Sequence, residues 1–531
     1  MFQPSLRIAL AALDRPAKPA EWLRLVEELH AESGFWWLDS ALPDARLGRY
    51  SFAGADPYLS LRASGSAIEV EVHREVRRGL EPGVHRLEGD PIEFARSLLP
   101  RTDSLIYSTR TTARSEQPAQ SDVPQWHEAA GLAAGLELPF LGGAVGYFGY
   151  ELASTLEAGL RFENVDDLGL PDLSLAFVDQ VFAFDHESDR LWILGLGFEE
   201  ARRANDFNAR ESSVQRSRDA VDVLSNRLER ILSEPSPPSA DASLLLRSNA
   251  RFEFASTVDA SGYAKAVDTI LQEIGAGNVY QANFSQRLTT EAKIDPWEIY
   301  RALRVHNPAP FGGYLSLPDA AILSSSPERF LRLDGSRRVE SRPIKGTRPR
   351  GKDEAEDIRL SNELAASPKD RAENLMIVDL VRNDLGRVCA PHSIAVPELM
   401  AIEAYAKVFQ MVSTVTGRLE TGRDAFDLLR ATFPPGSMTG APKLAAIALL
   451  EKLEQVKRGV YAGALGYLDL RGGLDLSVVI RTIIWKDNRA TLHVGGGIVS
   501  DSIPNAEYLE SLDKARAPLA ALEEALASEA G

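Results

Sequence analysis

The chain has 531 residues, of which 44% are hydrophobic and 25% charged, so it is long enough for more than one structural unit and has the composition of a folded globular protein. Its formal net charge of −17 disfavours binding to nucleic acid or to an anionic membrane, and an anionic substrate would need a local cluster of cations, a metal ion or helix N-termini. The single cysteine, Cys389, excludes an intramolecular disulfide and fits a reducing compartment, for which the cytoplasm is the simplest interpretation. The apolar run near the N-terminus is too short and too interrupted for a signal peptide or a membrane span.

Strand-like patterns dominate the sequence before residue 233. Strands are predicted at 67–72, 174–178, 181–184 and 191–194. A charged run over 199–232 carries apolar residues at helical spacing near its end and predicts a helix. The polar stretch 110–125 predicts a loop, and the Pro- and Ser-rich stretch 233–241 predicts a linker.

Strands and helices intermix after this linker. Helices are predicted at 264–274, 424–431 and 443–453, and strands at 321–323 and 330–333. We therefore predict an α+β protein in which helices pack against large antiparallel β-sheets. The linker divides it into an N-terminal region, 1–245, and a C-terminal region, 246–531.

Two pairs of acids have the spacing that places both side chains on one helix face: Asp370 with Glu373, and Glu507 with Glu510. If the two helices face each other, the four carboxylates form a site of hard oxygen ligands, for which Mg²⁺ is the natural occupant. Other interpretations stay open. The first pair also fits a helix-capping pattern, and Glu510 also fits an ordinary surface pair with Lys514.

Three further segments are candidates for binding an anion. The loop 433–443 leads into a helix whose N-terminal amides favour a carboxylate, although the same pattern is typical of a well-formed helix start. Gly495–Gly497 either lets the backbone approach a ligand or makes a tight bend. Arg481 interrupts an apolar strand and needs a partner, which is either a ligand carboxylate or a structural ion pair.

Lys345 lies in the turn PIKGT, 343–347, between an extended segment and a charged loop. A lysine in such a position can act as a nucleophile, but an isolated lysine beside a glycine turn is usually exposed to solvent. Its interpretation therefore depends on the residues around it.

Five segments follow one another in the order and spacing of the chorismate-utilising enzymes, which the chain resembles. They are SSPERF (325–330), PIKGT (343–347), DLVRNDLGRV (379–388), GAPK (440–443) and GGGIVSD (495–501). The resemblance is strong over about 263–519 and weaker before it, through GRYS (48–51) and GGAVGYFGY (142–150). It implies an anthranilate synthase component I-like fold, with antiparallel sheets packed as a sandwich and helices on the outside.

The resemblance also implies a site for chorismate and Mg²⁺. Glu373 and Glu510 match the nearest metal ligands of the family, and Asp370 and Glu507 match outer ligands that often act through water. Glu328 matches the acid that assists departure of the C4 hydroxyl group. The groups that grip the carboxylates of the substrate are matched by Arg481, Tyr461 and Lys514, with Thr439 and the backbone near Gly497.

Two positions, Gln281 and Lys345, separate the reactions of the family, and Gln410 departs from the residue that many relatives have. Gln281 stands where isochorismate and salicylate synthases carry a lysine that activates water, and an amide is not a base. Gln410 stands where many relatives have a histidine, so it is expected to bind substrate by a hydrogen bond without transferring a proton. Lys345 stands where anthranilate synthases typically have alanine. It matches the lysine that attacks C2 of chorismate in the branch that makes 4-amino-4-deoxychorismate, a precursor of p-aminobenzoate and folate.

The resemblance further implies a separate glutaminase subunit that supplies ammonia, because the chain has no glutaminase stretch with a nucleophilic cysteine. Ser40 lies where related anthranilate synthases carry a tryptophan feedback motif, and the match there is partial. The alternatives are anthranilate synthesis and a non-catalytic subunit with the same fold. The segment 233–241 fits an insertion within one intertwined fold as well as a domain boundary.

Overall fold

The computed structural model describes residues 6–12, 16–42, 46–76, 81–99, 105–111, 125–129, 138–198, 207–233, 253–405 and 407–529. Within these ranges the chain forms 26 β-strands and 12 α-helices. The strands are β1 (Leu6–Ala12), β2 (Trp36–Asp39), β3 (Tyr50–Gly54), β4 (Leu59–Ser64), β5 (Ala67–Val72), β6 (Gly83–Glu88), β7 (Leu105–Thr111), β8 (Gln125–Ala129), β9 (Gly143–Phe148), β10 (Leu173–Val178), β11 (Gln180–Asp185), β12 (Arg190–Phe198), β13 (Ala255–Ser256), β14 (Gln281–Glu291), β15 (Phe311–Ser316), β16 (Ala320–Ser326), β17 (Arg329–Leu333), β18 (Arg338–Ser341), β19 (Ile344–Pro349), β20 (Ala395–Ala404), β21 (Val408–Arg418), β22 (Gly440–Ala441), β23 (Ala464–Asp469), β24 (Leu474–Val478), β25 (Thr482–Lys486) and β26 (Arg489–Ile498). The helices are α1 (Pro19–Leu29), α2 (Pro91–Leu98), α3 (Ala153–Leu156), α4 (Phe207–Ser233), α5 (Ala260–Gly275), α6 (Pro296–His306), α7 (Glu354–Ala366), α8 (Pro368–Gly386), α9 (Ala425–Thr432), α10 (Gly436–Thr439), α11 (Lys443–Leu453) and α12 (Pro504–Glu529).

The strands form two sheets that are antiparallel except where β1 runs parallel to β7. The 14-stranded sheet has the order β13-β14-β26-β25-β16-β15-β2-β3-β11-β12-β1-β7-β8, with β22 paired to β14. The 12-stranded sheet has the order β19-β21-β18-β17-β24-β23-β9-β10-β4-β5-β6, with β20 paired to β21. The prediction of an α+β fold built on large antiparallel sheets is confirmed.

Each sheet contains strands from both halves of the chain. In the larger sheet β2 pairs with β15, with Trp37 opposite Tyr314, and in the smaller sheet β9 pairs with β23, with Val145 opposite Tyr467. The proposed boundary between residues 245 and 246 lies outside the described residues. Strand pairing within each sheet thus joins the two halves of the chain.

The main core lies between the two sheets, where the aromatic rings of Phe52 and Tyr467 meet with their centroids 5.9 Å apart. A second core, containing Trp22, Trp37 and Trp297, fills the other face of the larger sheet beneath helices α1, α4, α6 and α12. Strands that are buried on both faces explain why several of them read as continuous apolar runs in the sequence.

The strands and helices predicted in the described residues are present, several of them longer than predicted, and two predicted irregular segments overlap with regular elements. The stretch 110–125 was expected to be a loop, but Arg110 and Thr111 belong to β7 and Gln125 begins β8, because these strands pair as a hairpin. The long helix α4 extends to Ser233, the first residue of the predicted linker. Residues 112–124, 199–206 and 234–241 of these predictions lie outside the described residues.

Across the described ranges, the helices are all too short or too polar to cross a lipid bilayer.

Candidate active site

Lys345 is held in the interior of the protein near the start of β19. The following residue, Gly346, has a φ angle of +86°, and a Cβ atom there would lie 2.9 Å from the Asp370 side chain, so glycine lets the strand pass close to α8. The Lys345 ammonium group lies 2.9 Å from Glu373 Oε1 and donates a hydrogen bond to the Ser437 carbonyl at 3.1 Å. Because its side chain is only 11% exposed, Lys345 is largely buried and is not a solvent-exposed surface lysine.

Glu328, in the connection between β16 and β17, is buried beside the same lysine. Burial raises the pKa of its carboxyl group to about 7, although the Ser437 hydroxyl and the Lys345 ammonium group act in the opposite direction. A carboxyl group with this pKa is protonated in a large fraction of molecules near neutral pH, as a general acid must be.

The four acids predicted to bind a metal lie on two helices, Asp370 and Glu373 on α8 and Glu507 and Glu510 on α12. The capping pattern is present as well, since the Ser367 hydroxyl accepts a hydrogen bond from the Asp370 amide at 3.3 Å. Each carboxylate is paired with a cation. The pairs are Asp370 with Arg348 at 3.1 Å, Glu373 with Lys345 at 2.9 Å, Glu507 with Lys369 at 2.8 Å and Glu510 with Lys514 at 2.9 Å.

Three of these carboxylates approach two adjacent glycines of β26. A Cβ atom on Gly497 would lie 2.3 Å from Glu373 Oε1, and one on Gly496 would lie 3.5 Å from Glu507 Oε2 and 3.8 Å from Glu510 Oε1. The glycine-rich end of β26 therefore lets side chains from α8 and α12 come close together, where larger residues would exclude them.

In the described ranges, no three His, Cys, Asp or Glu side chains are gathered into a geometry that could hold a metal ion. The donors themselves suit a hard divalent cation, because they are carboxylates that converge from two helices. Their negative charge is balanced by the ammonium groups of Lys345, Lys369 and Lys514. The chemistry of the donor set fits Mg²⁺, and for the ion to bind, these ammonium groups must move away from the carboxylates.

Arg481 lies between β24 and β25 with a φ angle of +52°, a region that residues other than glycine rarely adopt. Burial lowers the pKa of its guanidinium group, and no carboxylate in the described part of the chain pairs with it. A partly buried cation without a counter-ion is costly, and Arg481 has no structural ion pair among the described residues, so its binding to a ligand carboxylate stays a prediction.

Tyr461 adjoins Arg481, and its ring stacks on His493 with the centroids 5.0 Å apart. Burial raises the pKa of the Tyr461 hydroxyl to about 12, so it remains a hydrogen-bond donor at neutral pH. Several buried polar atoms in this region lack a hydrogen-bond partner among the described residues. They include Oε1 of Gln281, Oε1 of Gln410 and both ring nitrogens of His493.

Unpartnered buried polar atoms are rare in folded proteins and usually mark a position where a ligand or water binds. Gln281 contributes directly to the acidic site, because its Nε2 donates to Glu373 Oε1 at 3.0 Å. Two other predicted substrate contacts are engaged within the chain: the Thr439 hydroxyl donates to the Gly436 carbonyl at 3.3 Å, and the Lys514 ammonium group donates to the Gly495 carbonyl at 2.9 Å.

Sequence reasoning placed Ser437 and Lys443 in the candidate anion-binding loop 433–443 without giving either side chain a role, and it did not identify Arg458. The fully buried Arg458 side chain donates to the Met438 carbonyl at 2.8 Å and to the Asn283 carbonyl at 2.6 Å, so it ties the loop containing Ser437 to β14. Lys443 anchors the preceding loop by donating to the carbonyls of residues 432 and 434, and it pairs with Asp384 at 2.7 Å. The sequence offered one signal for the role of Arg458: it follows Glu454 by four residues, a spacing typical of an ion pair.

Ser40 lies away from the acidic site, in a cavity of about 340 Å³ that includes residues of both sheets. Its hydroxyl donates to the Tyr50 carbonyl at 2.8 Å, and Phe52, Arg329 and Tyr467 also line the cavity. The binding of tryptophan near Ser40 stays a prediction.

Comparison with known proteins places these features in a family. Residues 97–520 match the family described as chorismate binding enzyme. Aminodeoxychorismate synthase of Streptomyces pristinaespiralis is 43% identical over 397 residues, which cover 74% of this chain and 52% of that protein, so the chain spans about half the length of this relative. Aminodeoxychorismate synthase component 1 of Bacillus subtilis (strain 168) is 34% identical over 483 residues, 91% of each chain. Anthranilate synthase component 1 of Acetivibrio thermocellus is also 34% identical, over 95% of this chain and 93% of that one.

The fold resembles solved structures with related names. Anthranilate synthase component I of Streptococcus pneumoniae TIGR4 superposes with a TM-score of 0.69 at 28% identity, covering 90% of this chain and 93% of that chain. The expected anthranilate synthase component I-like fold is thereby confirmed. From the family match and the extent of its similarity to these relatives, the chain belongs to the chorismate binding enzymes.

Proposed function

We propose that this enzyme replaces the C4 hydroxyl group of chorismate with an amino group derived from ammonia, giving 4-amino-4-deoxychorismate for p-aminobenzoate and folate biosynthesis. The observation that carries the proposal is the largely buried Lys345, which lies 2.9 Å from Glu373 and beside Glu328, whose pKa burial raises to about 7. The relatives named aminodeoxychorismate synthase support the same activity.

The reaction proceeds through two displacements. Once its ammonium group has released a proton, the neutral amine of Lys345 forms a bond to C2 of chorismate while the two ring double bonds shift and the C4–O bond breaks. Glu328 protonates the departing hydroxyl group, which leaves as water. Ammonia then forms a bond to C4, the double bonds shift back, and the C2–N bond breaks, so that Lys345 is released and recovers its electron pair. The ammonium group formed at C4 gives up one proton, which restores the protonated Glu328. One chorismate and one ammonia thus give one aminodeoxychorismate and one water.

The residues around Lys345 supply binding and orientation. Arg481 binds a substrate carboxylate, since it is a partly buried guanidinium group with no carboxylate partner in the described part of the chain. Tyr461 and Gln410 add hydrogen bonds next to it. Glu373 and Glu510, with Asp370 and Glu507 around them, would hold Mg²⁺, which would neutralise these carboxylates and bind the other carboxylate of the substrate.

We further propose that a glutaminase subunit supplies the ammonia in the cytoplasm. The Bacillus subtilis relative is named component 1, which implies a second component in that organism. The single cysteine of this chain also supports a separate glutaminase subunit. Burial raises the pKa of the Cys389 thiol to about 11 and so disfavours the thiolate that a glutaminase requires.

Anthranilate synthesis is the second candidate, because relatives with that name are as similar as the Bacillus protein. Lys345 argues against it: a buried amine at this position is needed for a covalent adduct and not for direct attack by ammonia at C2. A non-catalytic binding role is less well supported, since Glu328, Lys345, Arg481 and all of the predicted metal-binding acids are present.

One assay separates these functions. The protein is incubated with chorismate, Mg²⁺ and an ammonium salt, and the products are analysed with and without an aminodeoxychorismate lyase. p-Aminobenzoate that forms only with the lyase supports our proposal. Anthranilate and pyruvate formed without the lyase would establish the second candidate, and no turnover would favour the non-catalytic role. The variant Lys345→Ala should bind chorismate but form no covalent adduct by intact-protein mass spectrometry.

A further inference from the structure

The segment GGAVGYFGY (142–150) of the N-terminal half is followed by Glu151, a buried acid that the proposed reaction does not use. Its carboxylate accepts hydrogen bonds from two consecutive backbone amides of the C-terminal half, from Arg458 at 2.8 Å and from Gly459 at 2.9 Å. Each amide donates to a different oxygen atom of the carboxylate. A side chain of the N-terminal half therefore holds the backbone of the connection between α11 and β23.

Other contacts from the N-terminal half hold the same connection. The Tyr150 amide donates to the Gly459 carbonyl at 2.7 Å, and the Lys457 amide donates to the Val165 carbonyl at 3.0 Å. The Arg458 guanidinium group lies over the Tyr150 ring, 4.5 Å from its centroid. Three consecutive residues of the connection are thus bonded to the N-terminal half.

The connection continues directly into Tyr461, which is predicted to bind a carboxylate of the substrate. The Tyr461 amide donates to the Arg458 carbonyl at 3.2 Å, so the turn that Glu151 holds also sets the position of the Tyr461 backbone. Ala462 follows with a φ angle of +63°, in a region that residues other than glycine rarely adopt. A backbone in that conformation persists only where the surrounding structure determines it, and the bonds from Glu151 contribute to this.

Glutamate suits this position because an ionised carboxylate accepts hydrogen bonds on both of its oxygens. Burial raises the pKa of the Glu151 carboxyl group, and the two amides act in the opposite direction because they favour the ionised form. A buried acid is costly unless its hydrogen bonds are made. The amides of Arg458 and Gly459 offset part of this cost, so Glu151 and the connection stabilise each other.

We propose that Glu151 is a positioning residue for the substrate site. It holds the connection between α11 and β23 so that Tyr461 is in place to bind a substrate carboxylate, and it does so without touching the substrate itself. The inference rests on the proposed function, because it requires Tyr461 to bind chorismate. It gives the motif that ends at residue 151 a part in substrate binding by the C-terminal half.

Glu151→Gln tests this role, because glutamine keeps the length of the side chain but offers one oxygen and turns an NH2 group toward the other backbone N–H. Glu151→Asp, which keeps the charge and removes one methylene group, is a second variant. Asp469→Asn is the matched control. Asp469 is also buried and also accepts an N–H from the N-terminal half, that of Leu141 at 2.8 Å, but it lies at the end of β23 away from Tyr461. Each substitution is made in the wild type and in Tyr461→Phe.

The KM for chorismate and kcat are measured from the consumption of chorismate with Mg²⁺ and an ammonium salt, whichever product forms. We expect Glu151→Gln to raise the KM about tenfold in the wild type, equivalent to about 1.4 kcal/mol, with a smaller change in kcat. In Tyr461→Phe the same substitution should raise the KM less than about twofold, because its effect acts through the Tyr461 side chain. Glu151→Asp should change the KM in the same direction, and Asp469→Asn should leave it unchanged.

Equal increases in KM in the wild type and in Tyr461→Phe would overturn the positioning role. An increase for Asp469→Asn as large as that for Glu151→Gln would also overturn it, since the effect would then follow from a general loss of stability. A wild type that consumes no chorismate would refute the proposed function. The same variants are then compared by the Kd for chorismate in isothermal titration calorimetry, where the positioning role requires the same pattern.

Discussion

Glu328 affects both the stability of the fold and the catalytic step. Its replacement by glutamine should remove the cost of ionising a buried carboxyl group and should also remove the general acid. Burial raises the pKa of the Glu328 carboxyl group from 4.5 to about 7. Between these two pH values the folded state holds the proton more tightly than the unfolded state, so the free energy of unfolding falls as pH rises. Above pH 7 the cost of ionising Glu328 amounts to about 3 kcal/mol. Glutamine has no proton to lose and avoids this cost.

The stability of Glu328→Gln relative to the wild type should therefore increase by about 3 kcal/mol from about pH 4 to about pH 8. Urea-induced unfolding at a series of pH values measures this difference. Glu291→Gln serves as the control, because its side chain is 79% exposed. If the difference in free energy of unfolding between the wild type and Glu328→Gln stays constant with pH, the assignment of a raised pKa to Glu328 is refuted.

The same variant should lose turnover at every pH while it still binds chorismate. Glutamine cannot protonate the departing hydroxyl group, and loss of a general acid typically costs about 10²- to 10⁴-fold in rate. In the wild type, kcat should fall as pH rises through about 7, where Glu328 loses its proton. Retention of kcat in Glu328→Gln would show that another group protonates the leaving hydroxyl.

Four other perturbations test individual residues. Glu373→Ala should abolish magnesium-dependent turnover, and unchanged activity across a magnesium titration would contradict its role as a ligand. Arg481→Gln should raise the KM for chorismate by about 30-fold, because a hydrogen bond to a charged group contributes about 2 kcal/mol. Gly497→Ala places a methyl group 2.3 Å from Glu373 Oε1, so it should weaken activation by magnesium while circular dichroism is unchanged. Tryptophan should leave turnover unaffected, because the feedback motif around Ser40 is matched only in part; inhibition lost in Ser40→Ala would contradict this.

Local sequence patterns predicted the secondary structure around the site well. The run from Lys443 to Leu453 forms α11 with the predicted bounds, because its apolar residues have helical spacing and Pro442 precedes it. Spacing also placed Glu373 with Asp370 on α8. The family motifs identified Lys345 and Glu328, which lie near each other in the folded chain.

The electrostatic partners could not be predicted, because spacing fixes the face of a helix and not what meets it. Lys369 on α8 pairs with Glu507 on α12, and Arg348 on β19 pairs with Asp370. The pKa of Glu328 depends on burial by several elements that are distant in sequence. That Arg481 has no carboxylate partner among the described residues is likewise a property of the tertiary structure alone.

The pairing of β2 with β15 and of β9 with β23 has a consequence for synthesis of the chain. Strand β2 leaves the ribosome long before Tyr314, its partner across the sheet, has been translated. At about 5–20 residues per second, the delay is on the order of tens of seconds. During that time the edges of β2 and β9 that later pair with β15 and β23 present unpaired backbone N–H and C=O groups, so a nascent chain of this enzyme needs protection from aggregation, and neither half cut at residue 245 should fold by itself.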